Sequence, residues 1–248
     1  MGEVATDKFP VTRHSIIAAI QGRDRAAKSR ALETIIAAYW KPIYKHLRLR
    51  WDLNSVDAQD LTQEFFARLI EREFLASYDA NKGRLRTFLR TCADRLFLKQ
   101  SRDAHRQKRG GDKLYFELDF EAAEQELAHA ALSSADNMEQ QFEREWLRSL
   151  FVLALERLRR KYTLADKTVY LELFEAYDLA ENEDRKQTYA ELAETFHVSP
   201  TDVTNYLAAS RRDFRQCVLD QLRDMTASEK EFQAEARELL GVTIPVQP

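Results

Sequence analysis

The chain has 248 residues, 44% apolar and 32% charged, with a formal net charge of −3. That length holds one large core or two small ones, and the charge excludes a protein that grips nucleic acid through uniform positive potential. Six glycines and five prolines, with no proline between Ile43 and Ser199, exclude an architecture of hairpins and tight turns and leave an all-α chain.

Thr12 to Ile20 reads as a short helix. Ala26 to Arg50 is a longer one, with Leu32, Ile36, Tyr39, Ile43 and Leu47 at spacings of three and four. Asn54 is placed to cap the next helix, with Asp57 as its reciprocal partner, and that helix runs from Ser55 to about Phe74. SYDANKG, Ser77 to Gly83, is a loop by its turn-forming residues. The following helix carries Leu85, Phe88, Leu89, Cys92 and Leu96 on one face and Arg95, Lys99, Arg102 and Arg106 on another, ending at Gly110–Gly111. An acidic segment of weak periodicity extends to about Phe142. Helices resume at Glu143 to Lys161 and at Ala165 to Leu179. The tail opens with Ser228 and Glu231 in capping-box spacing and sets Phe232, Ala236, Leu239 and Leu240 on one face.

Charge is divided sharply. Lys82 to Lys113 holds eleven Lys/Arg against three Asp, whereas Leu114 to Glu143 holds eight Asp/Glu and no Lys/Arg. The small average conceals two surfaces with different partners. Eight acids with no basic residue among them read as an uncompensated tether or a path along a positively charged partner.

Two stretches carry further information. YAELAETFHVSPTDVTNYLAASRRDF has the form of a helix-turn-helix. HVS is the turn, Ser199 the N-cap, Pro200 the first helical residue and Asp202 the capping acid. Val203, Leu207, Phe214 and Val218 point to a core. Thr201, Thr204, Asn205, Ala208, Arg211 and Arg212 are left outward, small and polar first, then basic. Such a face fits a major groove, reading base edges near its N-terminus and gripping phosphates near its end. An ordinary helical hairpin would show the same spacing, and Asp202 and Asp213 would repel phosphate. The other stretch is VDAQDLTQEFFARL, Val56 to Leu69, which crowds Asp57, Asp60 and Glu64 beside Phe65 and Phe66. Its opposing surface could be the chain's own core, a metal or a partner protein. A metal site needs convergent ligands, usually with a histidine, and none is nearby.

The front half, from AYWKPIYKHLRLRW through VDAQDLTQEFFARLIE and FLASYDANKGRLRTFLRTCADRLFLKQ to QKRGG, resembles region 2 of extracytoplasmic-function sigma factors of bacterial RNA polymerase, in the sigma-70 family. The C-terminal helix-turn-helix resembles their region 4. The resemblance implies two small helical domains joined by an acidic linker. Region 2 would span residues 10–113, the linker 114–142, region 4 residues 143–225, and a C-terminal helical tail 226–248. It implies a factor that binds core RNA polymerase and promoter DNA and directs promoter-specific initiation. Asp57, Asp60, Gln63 and Glu64 match the positions that dock on arginines of the polymerase clamp, where carboxylates one turn apart form charge-assisted hydrogen bonds. Tyr78, Asn81, Lys82, Arg84 and Arg86 match the segment that captures the melted minus-ten strand. Arg95, Lys99, Arg102 and Arg106 would track phosphates. The region 4 face named above would read the minus-thirty-five element. Phe65, Phe66, Leu69 and Phe88 are expected in the core.

The sequence departs from the family motif at Gln59, where an acid is usual, and at Val56 just before it. A phosphate on Thr62 or Ser55 would place about −1.5 to −2 charges beside that gap. A serine/threonine kinase or an anti-sigma factor is the regulatory partner such factors imply. No Gly-rich phosphate loop, HExxH or CxxC is present. Cys92 and Cys217 are too few for a disulfide framework or a thiolate zinc site, and the five histidines are scattered. Neither an enzyme nor a cofactor is expected. No charged-then-apolar leader opens the chain and no apolar run approaches the ~18 residues that span a bilayer, so a cytoplasmic protein without membrane contact is expected. The alternatives are a stand-alone helix-turn-helix transcriptional regulator and a helical adaptor for protein partners.

Overall fold

The computed structural model describes residues 16–71, 75–79, 82–103, 115–129, 137–180, 187–226 and 228–241. Among these, every regular element is helical. They are α1 (Ile16–Gln21), α2 (Arg25–Arg50), α3 (Ser55–Ile70), a 3₁₀ turn (Leu75–Ser77), α4 (Leu85–Asp103), α5 (Phe120–His129), α6 (Met138–Leu164), α7 (Thr168–Asp178), α8 (Tyr189–Thr195), α9 (Pro200–Met225) and α10 (Glu229–Leu240). The all-α expectation holds.

Local chemistry sets the helix starts. The Asp24 side chain caps α2 by accepting from the amides of Ala26 and Ala27, at 2.9 and 3.2 Å. Asn54 caps α3 through the Asp57 amide at 2.9 Å. Ser199 and Asp202 form the full capping box of α9, with Pro200 at the first position. Thr188 and Glu191 do the same for α8, a box that the sequence reading left unnoticed. Each such cap satisfies amides that would otherwise be orphaned and is worth about 1 kcal/mol. Pro42 lies inside α2, where it removes one backbone donor. Its ring is buried there.

Helix α6 begins at Met138, five residues ahead of the sequence expectation, because Asn137 supplies the cap. Helix α3 ends at Ile70, and the expected extension over 72–74 lies outside the described residues. So do Thr12 to Ser15 of the first expected helix, together with Asn81 and Arg106.

The arrangement of the two halves, which the sequence leaves open, is decided by α6 and α9. One core runs through both halves. It holds Ile35, Tyr39, Ile43, Leu47, Phe65, Phe66, Leu69, Leu85 and Leu89 from the front together with Trp146, Leu150, Ala154, Leu158, Cys217, Leu222 and Phe232 from the back. Helix α6 packs along α2, and its later turns pack on α9. Trp146 is 2% exposed and packs 6.3 Å from Tyr39. A smaller cluster of Leu173, Leu192, Ala193, Val203 and Leu207 belongs to α7, α8 and the first half of α9 alone. The second half of α9 enters the shared core, so this single helix ties the two clusters together.

Candidate functional site

The acidic helix comes first. Asp57 and Asp60 are exposed on α3, while Phe65, Phe66 and Leu69 are fully buried beneath, as the apolar spacing predicts. Asp57 is steadied by the Asn54 side-chain amide, which donates to it at 2.8 Å. Glu64 is held by Arg68 one turn later, at 2.6 and 3.0 Å. Gln63 is buried and exchanges two hydrogen bonds with the backbone of Phe116, at 2.7 and 2.9 Å. The Thr62 side chain is fully buried and donates to the Ala58 carbonyl at 2.7 Å. Ser55 is half-buried at the helix start.

The linker explains that burial and corrects one expectation. Four of the eight acids from Leu114 to Glu143, namely Glu124, Glu126, Glu139 and Glu143, are compensated. Phe120 of α5 packs edge-on against Trp40 at 5.7 Å and against Tyr44 at 4.9 Å, in a cluster that includes Ala58. Glu124 takes both Arg48 Nε and Nη2, at 2.8 and 3.0 Å, and the Tyr44 hydroxyl at 2.6 Å. Arg48 holds the Glu124 carboxyl below its ordinary range, while burial, with Glu124 beside it, pushes Tyr44 up to about 12. Glu126 bridges Lys41 and Lys45 at 2.6 and 2.7 Å, and Lys45 also donates to Glu145 at 2.7 Å. Glu139 and Glu143 meet Arg90 and Arg86 at 2.6 and 3.1 Å. Partners lying 49 to 100 residues apart leave no local trace in the sequence.

The next surface is the loop and first turn before α4. Tyr78 is buried. Its ring packs 5.0 Å from half-buried Phe88, and its hydroxyl donates to the Gly83 carbonyl at 3.2 Å. Lys82 is exposed, 3.6 Å from Asp79. Arg84 and Arg86 both turn toward α10. Arg84 meets Glu235 at 3.3 Å and Glu238 at 3.1 Å. Arg86 is 2% exposed, bonded to Glu235 and stacked 5.0 Å over Trp146. Farther along α4 the picture reverses. Arg95, Lys99 and Arg102 are exposed and, with Leu98, line a shallow surface concavity. Among the described residues, no ion pair is formed by these three. Parallel cations without acids between them set up a potential suited to a phosphate backbone.

The last surface is the helix-turn-helix. After α8, His197 takes a left-handed conformation at φ 54°, which histidine tolerates better than most residues, and the chain turns into α9. Thr201, Thr204, Asn205, Ala208, Arg211 and Arg212 are all exposed, while Val203 and Leu207 are buried. Arg211 is tied by Asp178 at two distances of 2.9 Å and lies over Tyr177. Asp213 faces inward, taking Lys161 at 3.0 Å and the Tyr162 hydroxyl at 3.1 Å, which offsets the repulsion of phosphate expected from it.

Residues 36–107, from the middle of α2 past the end of α4, match the family model of Sigma-70 region 2. This segment is similar to sigma-70 region 2. The match supports a sigma factor role in transcription initiation. It covers the acidic helix α3, the loop and the basic stripe just described. No curated protein and no solved structure matches the chain. Among the described residues, no helix is long and apolar enough to cross a membrane, and no cluster of three or more His, Cys, Asp or Glu could hold a metal ion.

Proposed function

We propose that this chain is a promoter-specificity factor of the extracytoplasmic-function type. It binds bacterial core RNA polymerase, recognises two promoter elements and helps to melt the minus-ten element. The observation that carries this reading is the presence, in one chain, of a region 2 match and a helix-turn-helix whose outward face is free of its own core. Asp57 and Asp60, with Glu64 beside them, dock on cations of the polymerase, while Gln63 holds Phe116 beneath. Tyr78, Asn81, Lys82, Arg84 and Arg86 receive the melted strand, and Arg95, Lys99, Arg102 and Arg106 follow its phosphates. Melting costs a few kcal/mol per unstacked step, offset by these contacts and by polymerase. Thr201, Thr204, Asn205, Ala208, Arg211 and Arg212 read the upstream duplex element. The core enzyme does the chemistry.

A phosphate at Ser55 or Thr62 would supply the charge missing at Gln59 and Val56. Because Thr62 is fully buried, a kinase reaches it only after local opening.

The test is to add the purified chain to sigma-free core polymerase and a promoter library. Selective transcription is the expected result. Duplex binding without core would favour a stand-alone regulator, and neither activity would favour an adaptor. Reversing the acidic face with D57K/D60K weakens core binding by about tenfold or more, ~1.4 kcal/mol. In the same assay S55E, at the half-buried helix start, binds core more tightly than wild type, and equal binding would reject control by phosphate.

A further inference from the structure

Glu231, Glu235 and Glu238 stand on α10 at spacings of four and three, which places them on one helix face. All three converge on the first turn of α4. Glu231 Oε1 accepts from the Leu85 amide at 2.9 Å. Glu235 is bonded to Arg86 and lies 3.3 Å from Arg84 Nε. Glu238 accepts from Arg84 Nη1 at 3.1 Å. Glu143 of α6 closes on Arg86 from another side at 3.1 Å. The anchor of α10 is small. Phe232 and Ala236 are its fully buried apolar side chains, and Arg223 covers the Phe232 ring at 4.1 Å.

We propose that α10 is an internal occupant of the single-strand site, its three carboxylates standing where DNA phosphates would sit, so that promoter melting requires α10 to leave. This rests on the reading of Tyr78, Lys82, Arg84 and Arg86 as a single-strand site. A guanidinium engaged by a carboxylate fork cannot present the same donors to a phosphate. Carboxylate and phosphate therefore compete for Arg84 and Arg86, and the closed fraction lowers the apparent affinity for DNA. The clasp is built to release as well as to hold. Arg86 Nε is buried with no hydrogen-bond partner among the described residues, so the buried pair is incompletely satisfied and its desolvation is not fully offset.

The test uses the full chain and a fluorescein-labelled, random-sequence single-stranded oligodeoxynucleotide at low salt. The E231Q/E238Q variant keeps Phe232 and Ala236 and loses two carboxylates of the clasp. It should bind about fivefold more tightly than wild type or better, and its α10 amides should exchange hydrogen faster. The charge-matched control E33Q/E156Q, altered at exposed acids away from the clasp, should change affinity by less than about twofold, the size of generic screening. In the wild type, bound oligonucleotide should strip protection from residues 229–240. Equal affinity of wild type and E231Q/E238Q, or an equal gain in the control, overturns the inference while leaving a single-strand site in place. Absence of binding by all three proteins overturns the site and the inference together.

Discussion

The first turn of α4 and the first half of α9 are both proposed to meet DNA, yet they end in opposite circumstances. On α9, the outward residues from Thr201 to Arg212 remain at the surface, and the inward ones fill a small cluster made by neighbours in sequence. On α4, Arg84 and Arg86 are held by carboxylates roughly 150 residues away. A face whose partners are local is exposed by the same pattern that folds it. A face whose partners are remote can be covered by them, and the covering is a property of the whole molecule. The basic stripe one turn and more beyond Arg90 shows the contrast within a single helix, since Arg95, Lys99 and Arg102 escape the clasp.

The largest effect that would sharpen this comparison is at Arg86. R86M leaves buried Glu235 with only the half-buried Arg84 as its cation and should cost about 3 kcal/mol in urea denaturation. The double variant R86M/E235L, which removes both charges, should recover most of that loss. If R86M alone were neutral, the clasp would not be an energetic unit and the contrast with α9 would fail. A smaller and strictly local effect is expected from S199A, about 1 kcal/mol, read as faster amide exchange in the first turn of α9 with α4 and α10 unchanged. Spread of that effect into α10 would show the two regions to be less separate than their clusters imply.

The smallest effect is the pH response. Arg48 depresses the Glu124 carboxyl, and Arg84 depresses that of Glu238, from an ordinary value of 4.5. Depressed acids stabilise the folded state above their unfolded value, and the contribution disappears as pH falls through the folded one. Stability should therefore decline below about pH 4.5, and E124Q should flatten that decline by lowering stability at pH 7 while leaving it nearly unchanged at pH values below the folded one. An unchanged acid limb in E124Q would detach the linker clasp from the fold's acid response.

Much of this was legible in the chain. Asn54 and Ser199 announce their helices because a side chain and an amide two or three residues apart settle a cap. Phe65, Phe66 and Leu69 sit in the core as their spacing on α3 requires. The outward set on α9 follows once Val203 and Leu207 are inward. Other features gave no such signal. Gln63 was assigned to a docking surface and instead holds Phe116. Glu124 and Glu126 looked like free acids and instead sit on the cations of α2. Opposite charges in the composition suggest that pairs exist, but many acids compete for each arginine, and spacing along the chain does not choose among them.

The sequence by itself determined the helices, their caps and the inward faces, because each depends on neighbours within one or two turns. Only the tertiary structure decided that the two halves share a core, that α5 lies over α2, and that α10 rests on Arg84 and Arg86. Those contacts arise when α6 and α9 bury Trp146, Leu150 and Leu222 against the front helices, a choice made by shape and volume across the whole chain rather than by any short pattern within it.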